Sequence, residues 1–206
     1  MVSRGIAWLV GILVLAPFVA WQFVRGADAA VPLPVLYTLG GEFELDSTRG
    51  GRVALSDFRG SLVLLNFGYT GCPDVCPTAL ARMRDALKLA GTDDRPVVPL
   101  FVTLDPAADT AARLGPYVAY FHPDLIGLTG NDEEIAAAAA AFKVFYERAS
   151  DGPGGAYQIS HSSHLYLIDA AGRVRGTFGE SVPVEEVATA IRRLRLETET
   201  PLEVST

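Results

Sequence analysis

Two apolar runs, SLVLLNF at 61–67 and VVPLFVTL at 97–104, constrain the fold of this chain more than any other feature of it. Both are nearly continuous rather than alternating, the pattern of strands covered on both faces. Gly60 and Gly68 bound the first run. Between the two runs, residues 78–90 (TALARMRDALKLA) place Leu80, Met83 and Leu87 at the spacing of an amphipathic helix. A sheet buried on both faces needs further helices, and the rest of the chain supplies them. Asp109 can cap a helix over 110–121, with Pro123 just past its end. Asn131 and Glu134 make a capping-box-like start to an alanine-rich helix through Phe142. Pro183 suits the first turn of a closing helix through Leu196.

Three hairpins complete the pattern. Residues 43–45 and 52–55 form one at the amino end. Residues 143–148 and 156–160 flank SDGPGGA as an inserted hairpin, and 164–168 pairs with 173–178. Strand, helix, strand, helix, hairpin and final helix is the thioredoxin-like order. The expected fold is α/β, a mixed sheet flanked by helices, with an amino-terminal hairpin and an inserted hairpin.

Before this domain, residues 5–24 (GIAWLVGILVLAPFVAWQFV) carry no charge and lie between Arg4 and Arg25. A helix of this length spans about 30 Å of hydrocarbon, and Trp8 and Trp21 sit where interfacial aromatics do. A cleaved signal peptide is the competing reading, with Ala27-Asp28-Ala29 as its site. The stretch is long for a signal segment, which favours an uncleaved anchor in the lipid bilayer. The expected layout is an anchor at 1–25, a linker at 26–36, the domain at 37–198 and a tail at 199–206. Either reading exports the domain to a setting where disulfides persist. The net charge of −7 argues against a nucleic-acid partner, which demands a basic surface.

The chain has only two cysteines, Cys72 and Cys76, both within FGYTGCPDVCPT (67–78) at the carboxyl end of the first buried strand. Open sheets place their chemistry there. Residues four apart on a helical turn share a face with Cβ atoms about 5–6 Å apart. That is wide for a disulfide, which wants about 3.8 Å, and comfortable for a metal with bonds of about 2.3 Å to sulfur. A structural disulfide, a redox pair and two legs of a chelate all remain open. Pro73 and Pro77 stiffen the loop. A helix amino terminus favours thiolates, while Asp74 between the cysteines opposes that and would balance a bound cation.

Two sulfurs leave a metal under-coordinated. Of the three histidines, His122 reads as a residue at a helix carboxyl end, and His164 alternates with Tyr166 and Ile168 on a strand face. His161, in the polar ISHSS segment, falls beside the cysteine loop in a thioredoxin-like sheet. Spacing alone prefers it to His164 only weakly.

FGYTGCPDVCPT, VTLDPAADT, FHPDLIGLTG and ISHSSHLYLID resemble, in order, the signatures of the Sco/SenC family of copper chaperones, over roughly residues 40 to 195. The resemblance puts Cys72, Cys76 and His161 at the family's copper-ligand positions. It implies an exported, membrane-anchored protein that helps assemble the dinuclear copper centre of cytochrome c oxidase, by copper delivery, by reduction of acceptor cysteines, or both. Thiolates suit Cu(I) and an imidazole helps accept Cu(II). The implied partners are cytochrome c oxidase subunit II or another apo-cuproprotein, and an upstream copper donor. The implied setting is the inner (cytoplasmic) membrane with the domain in the periplasm, or the mitochondrial inner membrane facing the intermembrane space. Asp105 would shape the neighbouring loop, and Phe67 and Tyr69 would pack the core. The rivals are a thiol-disulfide oxidoreductase using Cys72 and Cys76 as its catalytic pair, and a copper or redox sensor that transfers no metal.

Overall fold

The computed structural model describes residues 32–92, 95–149 and 157–197. The expected bilayer span at 5–24, residues 26–31 of the expected linker and the tail lie outside them. Among the described residues no helix is long and apolar enough to cross a membrane. Residues Leu33–Arg195 form one compact unit.

The chain runs through β1 (Glu44–Ser47), β2 (Arg52–Ala54), a 3-10 turn (Leu55–Phe58), β3 (Leu62–Gly68), helix α1 (Val75–Ala90), β4 (Val97–Thr103) and α2 (Ala111–Phe121). There follow β5 (Ile126–Thr129), α3 (Asp132–Ala141), β6 (Tyr146–Arg148), β7 (Ile159–His161), β8 (Leu165–Ile168), β9 (Val174–Phe178) and α4 (Val184–Leu196). Seven strands make one mixed sheet in the order β2-β1-β5-β4-β3-β8-β9, with β3, β4 and β5 parallel and the others antiparallel to their neighbours. β6 and β7 make a separate two-stranded sheet. This is the expected thioredoxin-like arrangement with its two hairpins. Gly50 and Gly51 take φ of 90° and 71° in the β1–β2 turn, a conformation that side chains disfavour.

Alternation along β3 divides the core. Val63, Leu65 and Phe67 face the layer closed by Ile135, Ala138 and Phe142 of the α3 region. Leu62 and Leu64 face Leu80 and Met83 of α1, Leu114 of α2 and Ile191 of α4. All of β3 is buried, which is why its sequence reads as one apolar run.

Two local features differ from the sequence reading. β5 was not foreseen, because a four-residue IGLT with a central glycine gives almost no pattern to read. Asp109 does not cap α2: Thr110 does, its side chain accepting from the Arg113 N–H. Asp109 is fully buried and serves the cysteine loop instead. The capping box of α3 is present as expected, with Asn131 and Glu134 exchanging bonds of 2.8 and 2.9 Å.

Candidate metal centre

β3 delivers the chain to its carboxyl end at Gly68, where a tight turn begins with the Cys72 N–H donating to the Tyr69 carbonyl at 3.3 Å. α1 then starts at Val75, three residues before its expected beginning. Pro77 is no obstacle in a first turn, where a backbone N–H has no intrahelical acceptor. Cys72 therefore lies ahead of the helix and Cys76 within its first turn, rather than both on one helical face. The Cys76 N–H, one of the helix's unclaimed donors, reaches the Cys72 Sγ at 3.4 Å. Asp74 is exposed and makes no capping bond with its carboxylate.

Gly68 is the floor of the site. A Cβ there would stand 2.8 Å from the Cys76 Sγ and 2.9 Å from the Phe101 ring, so only glycine lets the sulfur sit against the sheet. Cys76 is wholly buried against Tyr69 and Ile159, with Cys72, Tyr146 and Tyr157 partly buried around them. This burial pushes the Cys76 thiol above its ordinary value. The Tyr69 backbone hydrogen bond opposes the shift, and the neighbouring Cys72 adds to it.

His161 ends β7 and enters from the separate hairpin. Its Nδ1 lies 3.2 Å from the Ser162 carbonyl, which can only accept. The ring proton is therefore on Nδ1, and the Nε2 lone pair faces the Cys76 Sγ at 3.3 Å. Burial lowers the His161 pKa, with the Ser162 carbonyl and Glu180 working the other way, so the neutral, ligating form is favoured. Tyr69 meets the imidazole edge-on, with ring centroids 6.0 Å apart.

The two Sγ atoms and the imidazole nitrogen all lie within 4.8 Å of one another. With bonds of about 2.3 Å to sulfur and about 2.0 Å to nitrogen, one ion bridging the Cys76–His161 pair would subtend an angle of ~100°. The donors therefore fit a single metal, and their soft character suits copper. His164 and His122 stand apart from this group. The His164 ring packs 6.2 Å from Tyr166, and the backbone carbonyl of His164 accepts from Asn66. His122 takes the Asp124 N–H on its Nδ1. Phe67 packs against Phe142 and Tyr166 as expected. Tyr69 is buried too, and its hydroxyl also accepts from the Ile159 N–H at 3.2 Å.

The sequence reading missed the part played by Asp109, Thr70 and Tyr157. Asp109 accepts from the Thr70 N–H at 2.8 Å, from the Thr70 hydroxyl and from the Thr103 hydroxyl at 2.7 Å. Tyr157 donates its hydroxyl to Asp105. The one available signal was Asp109-Thr110, two cap-competent residues side by side where a helix needs one.

The family model described as SCO1/SenC matches residues 34–195. The chain belongs to the SCO1/SenC family. A SCO2-like protein of Rickettsia felis is 41% identical over 136 residues, covering 66% of this chain and 66% of that protein. The mitochondrial SCO2 homolog of Mus musculus is 37% identical over 155 residues, 74% of this chain and 61% of its own. This SCO1/SenC chain thus spans less than two thirds of the length of both relatives. The crystal structure of Arabidopsis thaliana ScoI with copper bound matches with a TM-score of 0.70 at 33% identity, over 76% of this chain and 98% of that one.

Proposed function

We propose that this chain is a copper-binding assembly factor that holds the ion on Cys72, Cys76 and His161 and assists formation of the dinuclear copper centre of cytochrome c oxidase. The observation that carries this reading is the convergence of two sulfurs and one imidazole nitrogen within 4.8 Å. Its setting, a domain whose relative ScoI was solved with copper bound, supports it.

Copper is cargo here: a soft ion that accepts ligands from either side of an exchange. The chain's own residues do the rest. Cys72 and His161 are half-buried, so an acceptor's ligands can approach beside them, while Cys76 holds from beneath. Three donors leave a coordination position for the acceptor. Residues 5–24 would keep the domain at the inner (cytoplasmic) membrane on its periplasmic side, or at the mitochondrial inner membrane facing the intermembrane space. Subunit II of cytochrome c oxidase, or another apo-cuproprotein, is the acceptor under this reading, and an upstream protein supplies the copper.

Anaerobic copper titration of the reduced chain in detergent, followed by transfer to an apo copper-centre fragment of subunit II, tests the proposal. One equivalent should bind and leave for the fragment. If His161→Ala leaves stoichiometry, affinity and lifetime unchanged, the three-ligand site is wrong.

The half-exposed Cys72 beside a buried Cys76 also favours a second reading, reduction of the acceptor's disulfide. Cys72 would attack one acceptor sulfur, and Cys76 would then displace the mixed disulfide. Two electrons pass to the acceptor and this chain is left oxidised. Copper delivery that persists in Cys72→Ser while acceptor reduction stops would favour that role.

A further inference from the structure

The sulfurs and the nitrogen of the site belong to two different sheets. Cys72 and Cys76 follow β3 of the seven-stranded sheet, whereas His161 ends β7 of the separate β6–β7 pair. No shared strand ladder sets the distance between them; the short link from His161 into β8 and side-chain contacts do.

One buried loop reaches both sides. After β4 the chain folds so that the Asp105 N–H donates to the Thr103 hydroxyl at 3.0 Å and the Asp109 N–H donates to the Asp105 carbonyl at 2.8 Å. From this loop, Asp109 grips Thr70, two residues before Cys72, through both its N–H and its hydroxyl. Arg113 donates to the same hydroxyl at 3.0 Å. On the other side, the Asp105 carboxylate, 6% exposed, accepts the Tyr157 hydroxyl at 2.5 Å. Tyr157 lies two residues before β7 and four before His161, and its ring carries the Arg148 guanidinium of β6 at 3.5 Å. Tyr157 thus ties both strands of the hairpin to this one carboxylate, in addition to the bond from the Ile159 N–H of β7 to the Tyr69 hydroxyl.

We infer that Asp105 is a positioning residue for the metal centre: by holding Tyr157 it fixes where the His161 nitrogen falls relative to the two sulfurs, while Asp109 fixes the sulfur side from the same loop. The inference rests on the reading of Cys72, Cys76 and His161 as copper ligands. Groups that orient ligands from outside the coordination sphere are commonly worth about 10- to 100-fold in metal affinity. The effect should be selective. Cu(I) is held by the thiolates, whereas Cu(II) depends on the imidazole that the Tyr157 segment leads into.

The test compares Tyr157→Phe, Asp105→Ala, Asp105→Asn and the Tyr157→Phe/Asp105→Ala double variant of the full chain. Each is measured for its Cu(II) electron paramagnetic resonance spectrum, its Cu(II) and Cu(I) affinities, and its Tm. Tyr157→Phe and Asp105→Ala should alter the Cu(II) spectrum in the same way, weaken Cu(II) about 10-fold or more, and change Cu(I) binding far less. Asp105→Asn keeps an acceptor oxygen and should retain the parent spectrum. The double variant should be no worse than either single one. A lowered Tm with an unchanged spectrum and affinity would overturn the inference, as would an Asp105→Asn variant as damaged as Asp105→Ala. His161→Ala serves as the reference: if it too leaves the Cu(II) spectrum unchanged, the ligand assignment itself has failed.

Discussion

His161 Nε2 and Cys76 Sγ lie 3.3 Å apart although 85 positions separate them in the chain. In the metal-free protein the imidazole lone pair and the thiol proton share that contact, so a metal entering between them must expel the proton. Burial raises the Cys76 thiol and lowers His161, so across the neutral range the proton on sulfur is the one that opposes metal binding. Affinity should therefore climb with pH, by about tenfold per unit for the Cys76 proton alone. Competition titrations between pH 6 and 8 would show it, and a flat profile would contradict the geometry.

The two thiols should react in a fixed order. Cys72 is partly exposed and Cys76 is fully buried with its thiol pushed up, so the thiolate available to an electrophile belongs to Cys72. Iodoacetamide added to the reduced chain should label Cys72 first, with Cys76 labelled only on unfolding. Peptide mass spectrometry over a time course decides this, and equal initial rates would refute it.

Gly68→Ala should disturb the site while leaving the hairpins intact. The new methyl would stand 2.8 Å from the Cys76 Sγ and 2.9 Å from Phe101, neither able to yield freely in a packed core. Overpacking of this kind costs about 1–3 kcal/mol. Urea unfolding should report that loss and copper competition a weaker site. Parent-like values in both would mean the sulfur has room to move.

Far from the metal, the buried Asp169 carboxylate pairs with Arg175 at 3.1 Å and with Arg173 at 2.8 Å. Burial alone would raise the Asp169 pKa, but hydrogen bonds from Arg173 and Arg175 outweigh it and the net shift is downward. A lowered folded-state value means stabilisation that is complete above the unfolded-state pKa of about 3.9 and is lost as pH falls through the folded one. Asp169→Asn removes the carboxylate charge beside the buried Arg175, which keeps its bonds to the Leu33 and Pro34 carbonyls, and should cost about 3 kcal/mol at pH 7. The difference from the parent chain should shrink in acid below about pH 4. Denaturant titrations at pH 7 and pH 3 check both halves, and a gap that does not narrow would exclude Asp169 as the titrating group.

Legibility in the sequence followed burial. β3 and β4 are covered on both faces, so their apolar runs could mean little else. The cysteine loop stood out through its residue types, yet its two prolines hid a helix that begins at Val75. Spacing favoured His161 over His164 only weakly and resemblance to a family made the choice, because one ends a short strand and the other directly precedes one. Tyr157 gave no signal: a lone tyrosine in a turn-rich hairpin has no periodicity, and its partner Asp105 is 52 positions away. What sequence pattern cannot carry is a contact between segments whose own conformations do not depend on it.

The apolar cup around the sulfurs has an electrical consequence. Two thiolates bring two negative charges among Tyr69, Ile159 and the flanking tyrosines, with the Asp109 carboxylate close enough to act on Cys76. A divalent ion cancels the sulfur charges, and a monovalent one leaves a net negative centre in a medium that solvates it poorly. The donors prefer the softer, lower oxidation state while the surroundings prefer the neutral assembly. With copper on these donors as proposed, the apolar residues packed around Cys76 would bear on the ion's redox balance as much as the donors themselves.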